Sequence, residues 1–174
     1  VAEGAGDGGC HADGDDVERA ARAMLRAWQN VYDDAKISTW ANADVLVPHV
    51  QRFAGHCVLQ VGSLSADIVR VIVGGSKVGL VPSCAYHLSY HRHSLHSAAT
   101  MLRNCEDVVR RGVGVPDRDK TLASAWVQMG LGEVERLSGR YDEAKTYYSD
   151  ALAKRQSVLE ENHEDIAECH NSLG

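Results

Sequence analysis

Residues 131–153 read LGEVERLSGRYDEAKTYYSDALA, and this stretch decides the fold. Gly132 has no Cβ, so a second helix can approach the first one closely at that point. Gly139 is placed to end the first helix in the left-handed conformation that glycine adopts readily. A second helix is predicted to begin at Tyr141 and to carry small and aromatic residues on its inward face. The pattern consists of Leu131, Gly132, Gly139, Tyr141, Ala144, Tyr148 and Ala151. It predicts two antiparallel helices joined by a short connection.

Part of this pattern is repeated at the end of the chain. The positions that recur after 42 residues are Ala125, Val127, Leu131 and Gly132, which are matched by Ala167, Cys169, Leu173 and Gly174. A single helix pair cannot bury its own apolar face, so units of this kind stack on one another. The recurrence therefore predicts a repeat followed by the first helix of a second one.

The spacing of these glycines, tyrosines and alanines resembles the tetratricopeptide consensus. The period of 42 residues is longer than the usual repeat of about 34. The connecting segment 162–167, NHEDIA, is similar to the joint of the kinesin light chain subfamily, which reads roughly DHPDVA. Glu164 stands where that joint has proline, a departure that loosens the joint. The resemblance covers about Leu122–Gly174 and implies an α-solenoid that acts as a scaffold by binding a protein or peptide partner.

The resemblance also implies which side chains face the binding groove, because the first helices of such repeats line it. Counted from Gly132 and Gly174, the groove positions are Trp126, Met129, Glu133, Arg136, Glu168 and Asn171. Trp126 and Met129 would suit an apolar anchor, and Asn171 could bond a peptide backbone. The alternative for Trp126 and Met129 is packing against the neighbouring repeat.

The pattern upstream of the repeat is weaker but also helical, so the fold class is predicted to be all-α, an antiparallel helix-pair array. Residues 1–16 are Gly/Asp-rich and predicted to be disordered. Residues 17–60 form a helical lead-in, with Pro48 in the first turn of its second helix. Residues 61–82 are Val/Gly-rich and fit either two short strands or an imperfect helix or loop, and the latter is preferred because an isolated hairpin is marginal. Residues 83–119 are interpreted as a divergent helix-pair repeat, and 120–174 as the repeat plus the next first helix.

A second resemblance concerns the lead-in. Trp40 followed by the segment 46–50, LVPHV, is similar to a segment that precedes such repeats in NB-ARC signalling ATPases. It implies an alternative function, in which the chain is a sensor or autoinhibitory segment and the ATPase domain lies upstream. Gly74, Gly75 and Gly79 match no nucleotide-binding loop.

Composition bounds the remaining possibilities. The net charge of −6 and the lack of a basic run argue against nucleic acid as a partner. No apolar stretch approaches the roughly 18–20 residues that span a bilayer, so no membrane role is expected. Five cysteines without CxxC spacing fit buried thiols in a reducing compartment, and the cytoplasm is the expected location. The chain begins without Met and stops at Gly174 in mid-pattern, which indicates a piece of a longer protein.

The histidine run is the strongest candidate for chemistry. It consists of His87, His91, His93 and His96, and its first two members share a helix face in a geometry that can bind zinc. A metal-dependent enzyme is therefore a further alternative, and a Cys84–His87 hydrolase a weaker one. The pairs Asp142-Glu143 and Glu160-Glu161 are better explained by helix ends and solvent. The sequence predicts no catalytic residue, no metal ligand and no cofactor, and hence a binding protein that is not an enzyme.

Overall fold

The computed structural model describes residues 12–33, 36–59, 64–75 and 78–174. Within these ranges every regular element is a helix, and the single strand-type pairing is an isolated bridge between Gly74 and Val78. The predicted all-α fold class is confirmed. The helices are α1 (Ala12–Val31), α2 (Ile37–Leu59), α3 (Ala66–Val73), α4 (Leu80–Tyr90), α5 (Leu95–Arg111), α6 (Asp117–Leu137), α7 (Tyr141–Gln156) and α8 (Glu164–Leu173).

The pair α6–α7 follows from its glycines. Gly139 has a φ of 78°, a left-handed conformation that lets the chain reverse between the two helices. Gly132 lies beneath the ring of Tyr148, and a Cβ added there would be only 2.5 Å from the Cε1 atom of that ring. The two helices can pack this closely only because this position has no side chain.

The helices form a stacked array. Helix α5 packs on α6 and α7 packs on α8, while α4 and α6 are also neighbours. A large apolar core joins α1 to α6. A smaller second core lies between α6, α7 and α8, and consists of Ala125, Met129, Ala144, Tyr148, Ala151 and Cys169. The pairs α4–α5 and α6–α7, followed by α8, therefore succeed one another as the units of a helical-repeat array do.

The lead-in differs from its prediction in two respects. Helix α1 begins at Ala12, inside the segment predicted to be disordered, whereas residues 1–11 lie outside the described part of the chain. Pro48 lies in the interior of α2, so its prediction as a first-turn residue is wrong. The buried side chains of Val47 and Val50, on either side of Pro48, hold both halves of α2 against the core. Their burial offsets the loss of about 3 kcal/mol that arises because proline has no backbone amide proton to donate.

Within the Val/Gly-rich segment, Ala66–Val73 forms α3, and residues 61–63 and 76–77 lie outside the description. The Ser65 hydroxyl caps α3 by accepting a hydrogen bond from the Ile68 amide at 3.3 Å. The residues that α3 buries are Ile68, Val69, Ile72 and Val73, a helical spacing that outweighs the strand preference of valine and isoleucine.

Candidate interaction groove

A groove of about 750 Å³ runs across α4, α6 and α8. Its side chains come mainly from these helices and partly from the end of α1. The residues that the argument below uses are Tyr86 and Tyr90 of α4, Trp126, Met129 and Glu133 of α6, Glu168 and Ser172 of α8, Leu102 of α5, and Asp33. We refer to this set as the interaction groove.

The structure brings four of the six predicted groove residues into this cavity. Trp126, Met129, Glu133 and Glu168 line it. Arg136 lies beside it, where its guanidinium donates to both Glu133 and the Tyr90 hydroxyl. The sixth predicted residue, Asn171, is exposed and does not line the cavity, and the adjacent Ser172 does.

Trp126 is held rigidly in the groove wall. Its indole Nε1 donates to the Gly75 carbonyl at 2.9 Å, and the Arg155 guanidinium lies 4.7 Å from its ring centroid. Arg155 is 1% exposed and donates to the Asp165 carbonyl at 2.6 Å and to Glu168 at 2.9 Å. This arginine of α7 thereby fixes α8 relative to α6, and it joins two predicted groove residues through a buried cation.

Met129 combines the two roles that its sequence position allowed. It lines the groove, yet it is only 6% exposed and packs in the second core, where the Cys169 thiol lies 3.6 Å from its sulfur. A methionine in such a position offers an adaptable apolar floor.

Glu133 is the centre of a hydrogen-bond network. Its carboxylate accepts from Tyr148 at 2.5 Å, from Arg136 at 2.8 Å, and from the Tyr90 hydroxyl. Burial by itself would raise the pKa of Glu133, but the hydrogen bonds from Arg136, Tyr148 and Tyr90 outweigh it, so the pKa lies below its ordinary value. Burial and the hydrogen bond to Glu133 also raise the pKa of Tyr90 to about 12. Glu133 is thus a fixed, ionised carboxylate at the groove.

The sequence interpretation missed the contribution of α4 to the groove. Tyr86 and Tyr90 stack with ring centroids 4.3 Å apart, and Tyr86 is 41% exposed. The sequence did contain a signal for these tyrosines. When it is aligned with itself at an offset of 43 residues, Tyr86 aligns with Met129 and Tyr90 with Glu133. These tyrosines line the cavity from α4, a helix for which no groove residue was predicted.

The histidine run does not converge on one point. His87 is fully buried, and its Nε2 lies 2.8 Å from the Asp44 carboxylate, while His91 stacks on Trp40 with centroids 3.7 Å apart. Burial lowers the pKa of His87, which favours the neutral imidazole. His93 and His96 are exposed. Among the residues that the structure describes, no group of three or more His, Cys, Asp or Glu is arranged to hold a metal ion.

Cys84 has no feature of an activated nucleophile. It is fully buried, and burial raises the pKa of its thiol to about 12. A reactive cysteine requires the opposite shift, towards the thiolate.

Asp142 and Glu143, an acidic pair within the repeat, lie exposed in the first turn of α7, where they face the positive end of the helix dipole.

Comparison with known proteins agrees with this architecture at its carboxyl end. The tetratricopeptide repeat family model matches residues 121–174, which comprise most of α6 together with α7 and α8. No curated protein and no solved structure matches the chain. Tetratricopeptide repeats generally mediate protein–protein interactions and typically form scaffolds without enzymatic activity. None of the helices in the described ranges has both the length and the apolarity needed to cross a membrane.

Proposed function

We propose that this chain is a protein-interaction scaffold that holds a peptide segment of its partner in the interaction groove. The observation that carries the proposal is the position of the groove, which follows the first helices α4, α6 and α8 across successive units. The concave face lined by such helices is the usual binding surface of helical-repeat arrays. Binding is the whole of the proposed mechanism, with no chemical step.

The walls of the groove are suited to binding because they are already ordered. Trp126 is held by Gly75 and Arg155, and Glu133 is held by hydrogen bonds from three side chains. Ordering a mobile side chain on binding costs about 0.5–1.5 kcal/mol, and groups that are fixed in advance avoid this loss. The polar and aromatic side chains of the groove have therefore already lost their conformational entropy in folding and lose little more when a ligand binds.

We further propose that α4 and α5 form a divergent repeat of the same kind. Two observations support this proposal: α5 packs on α6, and Tyr86 and Tyr90 of α4 line the interaction groove. The kinesin light chain-like subfamily remains a prediction from the joint at 162–167. A cytoplasmic location is supported by the free, buried thiols of Cys57, Cys84, Cys105 and Cys169.

The sensor or autoinhibitory alternative rests on the segment around Trp40 and Pro48. An upstream nucleotide-binding domain in the parent gene would favour it. The metal-dependent alternative gains no support from His87 and His91, since both lie in an aromatic cluster with Trp28, Tyr32 and Trp40.

The scaffold proposal can be tested by selecting peptides from a displayed random library on this chain. The selected peptides are then titrated against Tyr86→Ala, which removes a groove ring, and against Tyr141→Ala, which removes an exposed ring of α7 outside the groove. We expect Tyr86→Ala to weaken binding about tenfold or more and Tyr141→Ala to leave it unchanged, with both variants equally helical. Selection of no peptide, or equal binding by both variants, would overturn the proposal.

A further inference from the structure

The described lining of the interaction groove is acidic. Asp33, Glu133 and Glu168 contribute carboxylates, and no lysine or arginine is among the described residues that line the cavity. Each of these carboxylates is paired with a cation that is not among the lining residues: Asp33 with Lys36, Glu133 with Arg136, and Glu168 with Arg155. Arg155 is 1% exposed behind Glu168, whose side chain is 50% exposed, so a ligand can reach the Glu168 carboxylate without meeting its cation. The net charge of −6 for the chain adds long-range attraction for a cation.

The aromatic rings of the groove already accept guanidinium groups from the chain itself. Arg155 lies over Trp126 at 4.7 Å, and Arg136 lies over Tyr90 at 5.9 Å. In both cases the same arginine also donates to a groove carboxylate, Glu168 or Glu133. The negative face of an aromatic ring next to a carboxylate is a favourable site for a planar cation that can stack and donate at once.

Tyr86 provides a ring of the same kind with a substantial exposed surface. It is 41% exposed, stacks on Tyr90, and lines the groove together with Glu133 and Glu168. Met129 and Leu102 supply apolar lining beside it. A side chain that combines a cation with an apolar neighbour would match both parts of the lining.

We propose that the partner segment is a basic peptide, with an arginine next to an apolar residue. The guanidinium binds to Tyr86 and to the exposed carboxylate of Glu168, while the apolar neighbour packs on Met129. Arginine is favoured over lysine because the planar guanidinium stacks on rings and donates in pairs, whereas an ammonium is a compact, strongly hydrated charge. This inference rests on the proposed function and adds the chemical class of the partner.

The test uses four pools of fluorescein-labelled peptides, degenerate at the flanking positions and fixed at the centre as arginine, lysine, citrulline or glutamate. Citrulline keeps the shape of arginine and removes its charge. Fluorescence polarisation should rank the affinities in the order arginine, lysine, citrulline, glutamate, with at least a tenfold gap between arginine and glutamate. The advantage of arginine over citrulline should shrink as the salt concentration rises.

Charge-removing variants locate the effect within the groove. Glu168→Gln should reduce the advantage of the arginine pool over the citrulline pool about two- to fivefold, the range expected for exposed ion pairs. Glu143→Gln is the matched control, since Glu143 is an exposed carboxylate of α7 that does not line the groove. Thermal unfolding of each variant shows whether the groove is still assembled.

The outcomes separate this inference from the proposed function. If no pool binds, the peptide groove itself is wrong and both proposals fall. If citrulline or glutamate pools bind as well as the arginine pool, the groove binds peptides but the basic partner is wrong. Self-association that Tyr86→Ala abolishes would assign the groove to a second copy of the chain and would also overturn the basic partner.

Discussion

Gly132→Ala tests most directly how the repeat is packed. Gly132 is buried in α6, and a Cβ at this position would lie 2.5 Å from Cε1 and 2.7 Å from Cδ1 of Tyr148. The tyrosine is 1% exposed, and its hydroxyl donates to Glu133 at 2.5 Å. The ring therefore cannot move aside without disturbing both the second core and the hydrogen bond at the groove.

The expected loss of stability follows from three opposing terms. Inserting a methyl group into a filled core costs about 1–3 kcal/mol. Losing a hydrogen bond to a charged acceptor costs about 1.5–3 kcal/mol. Alanine gains about 1 kcal/mol over glycine in helix propensity. We expect the free energy of unfolding to fall by about 1.5–5 kcal/mol, which lowers Tm by about 3–20 °C in a chain of 174 residues.

Gly55→Ala is the matched control for this substitution. Gly55 lies in the interior of α2, and a Cβ there meets no atom within 4 Å. The same change should therefore stabilise the protein by up to about 1 kcal/mol through propensity alone. Urea unfolding followed by far-UV circular dichroism measures both variants. If Gly132→Ala is as stable as the parent chain while Gly55→Ala behaves as expected, the close contact with Tyr148 does not limit the packing.

Three further substitutions test the groove and its supports. Glu133→Gln should flatten the pH dependence of stability in acid. The lowered pKa of Glu133 makes the folded chain lose stability as the pH falls from ~4.3, the ordinary glutamate value, through the folded pKa. Equal acid titrations of unfolding for both proteins would contradict this. His87→Phe should remove a loss of stability below pH ~6.5, because the lowered pKa of His87 means that the unfolded chain binds the proton at a higher pH than the folded chain does. A difference in free energy of unfolding between the two proteins that is the same at pH ~7.5 and pH ~5.5 would argue against this. Arg155→Met should lower the free energy of unfolding by about 2 kcal/mol and accelerate amide hydrogen exchange more in α8 than in α4 and α5. Uniform acceleration across the chain would count against the role of Arg155 in holding α8.

The carboxyl-terminal helices were predictable because their constraints are local. A close helix crossing at Gly132 and a reversal at Gly139 each require glycine, and Gly132 has a counterpart 42 residues later at Gly174. The start of α7 at Tyr141 agrees with the boundary predicted from that spacing. A repeat places its steric requirements at regular intervals, so a single sequence reveals them.

The upstream helices were less predictable because distant parts of the chain determine their register. Pro48 looks like a helix start, yet burial of residues on both sides carries α2 through it. His87 and His91 have the spacing of a metal pair. Their actual neighbours, Asp44 and Trp40, lie more than 40 residues away in the sequence. Periodicity identifies which face of a helix is apolar, but not which element will cover a polar residue on it.

The sequence by itself predicted a helical array, and its resemblance to the tetratricopeptide consensus implied that Trp126, Met129, Glu133 and Glu168, which line the cavity, face a groove. Only the tertiary structure decided that the Tyr86–Tyr90 pair completes the groove and that Ser172 lines it while Asn171 does not. The physical reason is that a groove is formed between helices. Its lining depends on the angle and rotation at which they pack, and these follow from the whole core, including buried links such as Arg155, rather than from the pattern of any one helix.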